Sequence, residues 1–189
     1  MINFRNTSFI KSITSLEDKP EKNLPEFVFL GRSNVGKSSL INALTDNKKL
    51  CFTSSKPGHT RLLNYFEVYQ QCYLVDAPGY GYSSAGKKHD IFFKKMMDEY
   101  FLNTNIKCVL LLIDGRREIG EDDIELYHYL NHFNLPFVVI VTKTDKLNQS
   151  QMVKCKSLIG EQIPEKVFLT SSINKKGIDE LKSFLSELI

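Results

Sequence analysis

The chain has 189 residues, 42% hydrophobic and 25% charged, a globular composition long enough for one domain with its own core. Its net charge of +3 is too small to identify a nucleic-acid partner and does not oppose one. Four scattered cysteines without a CxxC pair argue against a disulfide framework or zinc site, residues 1–25 hold no signal-peptide core, and no apolar run nears the roughly 18–20 residues of a membrane helix, so a soluble cytoplasmic protein is expected.

Residues 1–25 read as a short strand or arm carrying Phe4, Phe9 and Ile10, packed on a domain spanning 26–189. The first apolar run, 27–30, is followed by Gly31-Arg32-Ser33-Asn34-Val35-Gly36-Lys37-Ser38 and then by helical spacing over 38–44. G-x-x-x-x-G-K-[ST] between a strand and a helix is the context in which this motif wraps a phosphate. Its glycines allow close backbone approach, main-chain N–H groups face the anion, Lys37 supplies charge for the β- and γ-phosphates, and the Ser38 hydroxyl can ligate Mg²⁺. In the loop that follows, Thr60 stands where a threonine can join the Mg²⁺ shell only when a γ-phosphate is present, although the run from Pro57 to Thr60 would also suit an ordinary loop.

A mixed segment, 62–69, suits an edge strand, and the apolar run 72–75 leads into Asp76-Ala77-Pro78-Gly79. That tetrapeptide is a good turn; at a strand's end after a P-loop it also supplies an acid acting on the metal through water and a glycine N–H for the γ-phosphate. The helix predicted over 90–102 has Phe92, Phe93, Met96, Met97, Tyr100 and Phe101 on more than one face, which suits core packing or a docking surface. Apolar strand 108–113 and helix 122–133 follow; His128 and His132 on that helix lack a third metal ligand nearby.

Strand 137–141 runs into Thr142-Lys143-Thr144-Asp145. A carboxylate at Asp145 matches the N1–H and N2 amine of guanine and would be left unpaired by adenine, and the Lys143 stem can cover the base face. A weaker helix over 150–160 and the short strand 167–169 precede Thr170-Ser171-Ser172, which can offer N–H groups to the base oxygen, cap a helix, or both. The last helix starts after Gly177 with Ile178, Leu181, Phe184, Leu185 and Leu188 as its apolar stripe. The alternation predicts an α/β three-layer P-loop fold, a largely parallel central sheet with helices on both faces. The ordered motifs together predict a guanine-nucleotide site with Mg²⁺.

The quoted motifs, with Phe29–Asn42, Pro57–Thr60, Val75–Tyr82, Thr142–Lys146 and Ser171-Ser172 near Gly177-Ile178, resemble the bacterial EngB/YihA/YsxC family of P-loop GTPases over nearly the whole chain. The run Pro78-Gly79-Tyr80-Gly81-Tyr82 separates that family from most other GTPases. The resemblance implies nucleotide contacts at Gly31, Arg32, Ser33, Asn34, Val35, Gly36, Lys37, Ser38 and Ser39, and at Gly58, His59, Thr60, Arg61 and Leu62. It implies further contacts at Asp76, Ala77, Pro78, Gly79, Thr142, Lys143, Thr144, Asp145, Thr170, Ser171 and Ser172. Lys37, Thr60 and Gly79 would serve hydrolysis, with Mg²⁺ held by Ser38, Thr60 and, through water, Asp76. His59, Arg61 and Ala77 stand where such proteins more usually carry a basic residue, Gln and Leu.

Asn34 occupies the place of an asparagine that ligates K⁺ in potassium-activated relatives; a residue tolerant of a turn conformation is the other reading. Tyr80 replaces the water-orienting Gln that follows this motif in Ras-like enzymes, so slow turnover is expected. The implied role is a GTP/GDP switch, monomeric, in assembly of the large ribosomal subunit or on its rRNA, without membrane or DNA, and needed for division and septation. A nucleotide-regulated protein of the division machinery without rRNA contact is the competing class. Lysine and arginine pairs near the switch loops suit either a solvated surface or an RNA-facing rim.

Overall fold

Strands covered on both faces must be apolar on both, and the central segments here meet that demand. The computed structural model describes residues 2–51, 62–79, 87–102 and 104–189. Its strands are β1 (Thr7–Ile13), β2 (Glu26–Gly31), β3 (Leu63–Val68), β4 (Cys72–Asp76), β5 (Ile106–Asp114), β6 (Phe137–Thr142) and β7 (Val167–Leu169). Its α-helices are α1 (Lys37–Thr45), α2 (Lys87–Leu102), α3 (Glu121–His132), α4 (Gln149–Gln162) and α5 (Ile178–Glu187). The strands form one sheet in the order β1-β3-β4-β2-β5-β6-β7. Pairings along β4-β2-β5-β6-β7 are parallel, and β1-β3 and β3-β4 are antiparallel.

Alternate residues of each strand feed two cores. Phe27, Phe29, Leu110, Leu112 and Ile140 meet Leu40, Ile41 and Leu44 of α1 and Leu181 and Leu185 of α5. Val28, Leu30, Val109, Leu111 and Val139 meet Met96, Met97, Tyr100 and Phe101 of α2 and Leu126 and Leu130 of α3. Those four α2 residues therefore pack in the core, while Leu102 at the helix end is 70% exposed. The sheet with helices on both faces is the predicted architecture.

The segment expected at the sheet edge is not there. β3 lies inside, because β1 pairs with it from Thr7 opposite Val68 to Ile13 opposite Leu63. The polar residues that suggested an edge are paired in place: Ser12 Oγ donates to Asn64 Oδ1 at 2.6 Å, and Lys22 bridges Glu67 at 3.0 Å.

A second polar group is deeper. Glu26, 2% exposed at the start of β2, accepts from the Tyr100 and Tyr65 hydroxyls and pairs with Lys19 at 2.9 Å. This ties the segment after β1 to α2 and to the strand that leads into the P-loop. Burial and the neighbouring Glu26 carboxylate push the Tyr100 phenol well above its ordinary pKa, so it stays a neutral donor.

Candidate functional site

Five parallel strands end at one rim of the sheet, and the predicted site residues among the described ones gather along it; half-buried Leu62 joins them there, because β3 runs antiparallel to β4 and sets Asn64 opposite Asp76. Residues 31–36 turn from β2 into α1, whose N-cap is Gly36 and carries no side-chain cap, leaving first-turn amides free for an anion. Val35 points into the core, and Asn34 takes the left-handed conformation with φ 61°. That backbone need accounts for an asparagine at this position. Arg32 turns outward to Asp122 of α3 at 3.3 Å.

Below the loop, Ser38 Oγ donates to Asp76 Oδ2 across 3.4 Å. Asp76 is half-buried as a residue, yet its Oδ1 is shielded from solvent and accepts no hydrogen bond among the described residues. Burial raises its carboxyl to about 6, against the opposing effects of the Lys37 charge and the Ser38 hydroxyl. Burial likewise lowers the Lys37 pKa, with Asp76 pulling it back up. An orphaned carboxylate oxygen beside a serine hydroxyl and a lysine is a donor set that fits a hydrated Mg²⁺. Among the described residues no three His, Cys, Asp or Glu gather into a metal-holding group, so such an ion would draw most of its ligands from phosphate and water.

Gly79 follows on the exposed side. A Cβ there would lie 2.8 Å from Ser33 N and Cα, so only glycine lets this segment lie against the P-loop backbone. Ala77 is buried and donates its N–H to Phe29 O at 3.1 Å, and Pro78 is half-buried beside it. Gly58, His59, Thr60, Arg61 and Tyr80 lie outside the described residues.

The base motif is built by hydrogen bonds between β6 and the loop after β7. Thr144 donates both its N–H and its hydroxyl to Thr170 O, at 3.2 and 3.0 Å. Thr170 Oγ1 donates to Val141 O at 3.0 Å. Ser171 Oγ donates to Asp145 Oδ1 at 2.7 Å while accepting from the N–H groups of Ile173 and Asn174. Ser171 thus both braces Asp145 and organises its own loop, and Ser172 next to it is half-buried. Two bonds join this motif to the P-loop: Thr142 Oγ1 to Val35 O at 2.6 Å, and Lys143 Nζ to Asn34 O at 2.7 Å.

One participant was missed by the motif reading. Asp114 ends β5 and binds Lys143 Nζ at 2.8 Å and Arg116 through two guanidinium nitrogens. An acid closing an apolar strand, as Asp76 does, was the available signal.

The profile of a family described as 50S ribosome-binding GTPase matches residues 26–143. The chain is 42% identical over 186 residues to a "probable GTP-binding protein EngB" of Clostridium perfringens, covering 96% of this chain and 94% of the relative. A protein of the same name from Mycoplasma mycoides is 44% identical over 191 residues, covering 98% and 97%. Among solved structures, a probable GTP-binding protein engB superposes with a TM-score of 0.66 at 27% identity, over 86% of this chain and 97% of that one. Era in complex with MgGDPNP and nucleotides 1506–1542 of 16S ribosomal RNA shares the fold, with a TM-score of 0.68 at 23% identity over 89% of this chain and 57% of that one.

Proposed function

The chain belongs to the EngB family of P-loop GTP-binding proteins, and from that premise we propose a cytoplasmic, monomeric, Mg²⁺-dependent GTPase switch that acts in large ribosomal subunit assembly and supports cell division. The observation that carries this reading is the joining of the P-loop to the base motif by the Thr142 and Lys143 bonds, which builds one continuous cradle for a nucleotide.

In this reading the amides of 33–38 and the open end of α1 receive the phosphates, and the Lys37 ammonium neutralises them. Asp145 pairs with the guanine edge, held in aim by Ser171. Ser38 would hold Mg²⁺ directly, Asp76 through water, and Thr60 in the GTP state alone. When bound, the ion supplies charge stabilisation to the β- and γ-phosphoryl oxygens. The Gly79 N–H offers a γ-phosphate contact that GDP cannot use. No glutamine follows Gly79, so intrinsic hydrolysis is slow and a partner completes the catalytic set. A K⁺ bound by the Asn34 amide oxygen would add charge stabilisation; faster single-turnover hydrolysis in K⁺ than in Na⁺, lost in Asn34→Ala, is the expected sign.

Co-sedimentation with large ribosomal subunits tests the switch. The protein is expected to pellet with subunits when loaded with a non-hydrolysable GTP analogue and to stay in the supernatant with GDP. Failure to pellet in either state would favour a nucleotide-regulated protein of the division machinery instead.

A further inference from the structure

The geometry points to Asp114 as a positioning residue for guanine-nucleotide binding: it pins the Lys143 ammonium against the P-loop and thereby lays the lysine stem along the base position. The inference rests on reading 142–145 as the base site.

A lysine side chain is flexible and strongly hydrated, so a free Lys143 would sample many rotamers with its head in water. Here two of its three donors are engaged, one by Asp114 Oδ2 at 2.8 Å and one by Asn34 O at 2.7 Å. The stem is therefore stretched between the end of β6 and the P-loop. Asp114 can act as an anchor because it is itself immobile. It is 6% exposed, sits at the last position of β5 beside Thr142, and its Oδ1 accepts from both the backbone N–H and Nε of Arg116 at 3.0 Å. A second guanidinium nitrogen reaches Oδ2 at 2.8 Å, so a two-pronged contact fixes the plane of the carboxylate.

Burial by itself would raise the Asp114 carboxyl; the Arg116 and Lys143 hydrogen bonds outweigh it and hold the group well below the ordinary carboxylate range. The anchor is charged at any pH at which the protein works. Because it holds Lys143 between the base motif and the Asn34 carbonyl of the P-loop, its loss is expected to affect GDP and GTP equally. That separates it from Thr60 and Gly79, whose proposed contacts are specific to GTP.

The test is the release rate of fluorescent GDP and of a fluorescent non-hydrolysable GTP analogue from wild type, Asp114→Asn, Lys143→Met and the double variant, with thermal unfolding recorded for each. Asp114→Asn is expected to speed release of both nucleotides about tenfold, the scale of one lost charged hydrogen bond. In the Lys143→Met background the same change should add less than about twofold, since a shared route cannot be cut twice. Full additivity of the two substitutions, or unchanged release in Asp114→Asn, overturns the inference even when Lys143→Met alone speeds release. Unchanged release in Lys143→Met overturns the base-site reading beneath it. Asp114→Ser, which removes the charge with less bulk, replaces the amide variant if that variant does not fold.

Discussion

Asp145 decides the base in the proposed site because one of its oxygens is already committed. Oδ1 takes the Ser171 hydroxyl, so the carboxylate cannot rotate away from the guanine edge without breaking that bond. Asp145→Asn is expected to weaken GTP strongly and to favour xanthine nucleotide, whose carbonyl suits the amide; competition among GTP, ATP and XTP measures it. Asp76 poses the opposite case, a residue whose proposed function costs stability. Its folded pKa of about 6 lies above the ordinary value near 4. The folded state therefore holds a proton that the unfolded chain releases, so the penalty is absent below about pH 4 and complete above about pH 6. Asp76→Asn should raise the melting temperature of the nucleotide-free protein at pH 7.5 by on the order of 5 °C. The gain should shrink at pH 5, while Mg²⁺-dependent GTP binding is lost. A gain that ignores pH would mean the buried charge is not its source.

Helix α5 starts where it does because of one residue. Gly177 is in the left-handed region with φ 70°, and a Cβ there would come within van der Waals overlap of Leu169 O, at 2.2 Å. The turn folds back over the end of β7, carries the Ser171 loop with it, and delivers Ile178, Leu181 and Leu185 to the core. Gly177→Ala should cost more than about 2 kcal/mol, combining backbone strain with the clash. It should also weaken nucleotide binding, because the displaced carbonyl ends the strand from which the base loop springs. Urea unfolding and GDP titration on the same variant check both, and a fall in stability with intact GDP affinity would uncouple helix start from loop.

At the scale of the molecule, the N-terminal segment is woven in. β1 completes the sheet beside β3, Ile2 and Phe4 enter the core with α1 and α5, and Lys19 neutralises the buried Glu26. Removing residues 1–25 would expose one side of β3 and strand Glu26 without its cation. A buried charge that loses its partner costs about 3–5 kcal/mol, so the melting temperature should fall by roughly 10 °C or more. Thermal unfolding of the truncated chain measures this, and a melting temperature equal to that of the full chain would mark the segment as a dispensable arm.

The sequence by itself determined the order of elements, the P-loop, the acid at the end of β4 and the base motif, because each is a local pattern: a run of apolar residues closed by a short polar signature. Periodicity also placed Met96, Met97, Tyr100 and Phe101 on a helix with more than one apolar face, and packing against the sheet is what those faces serve. Tertiary structure alone decided the neighbours. Asn64 and Glu67 look like edge polarity until Ser12 and Lys22, more than forty residues earlier in the chain, arrive to pair with them. Asp114 looks like the polar end of any strand until β6 sets Lys143 beside it, and Glu26 looks exposed until α2 and the N-terminal segment close over it. Hydrogen-bond partners far apart in sequence meet only through strand order, and no local pattern encodes strand order.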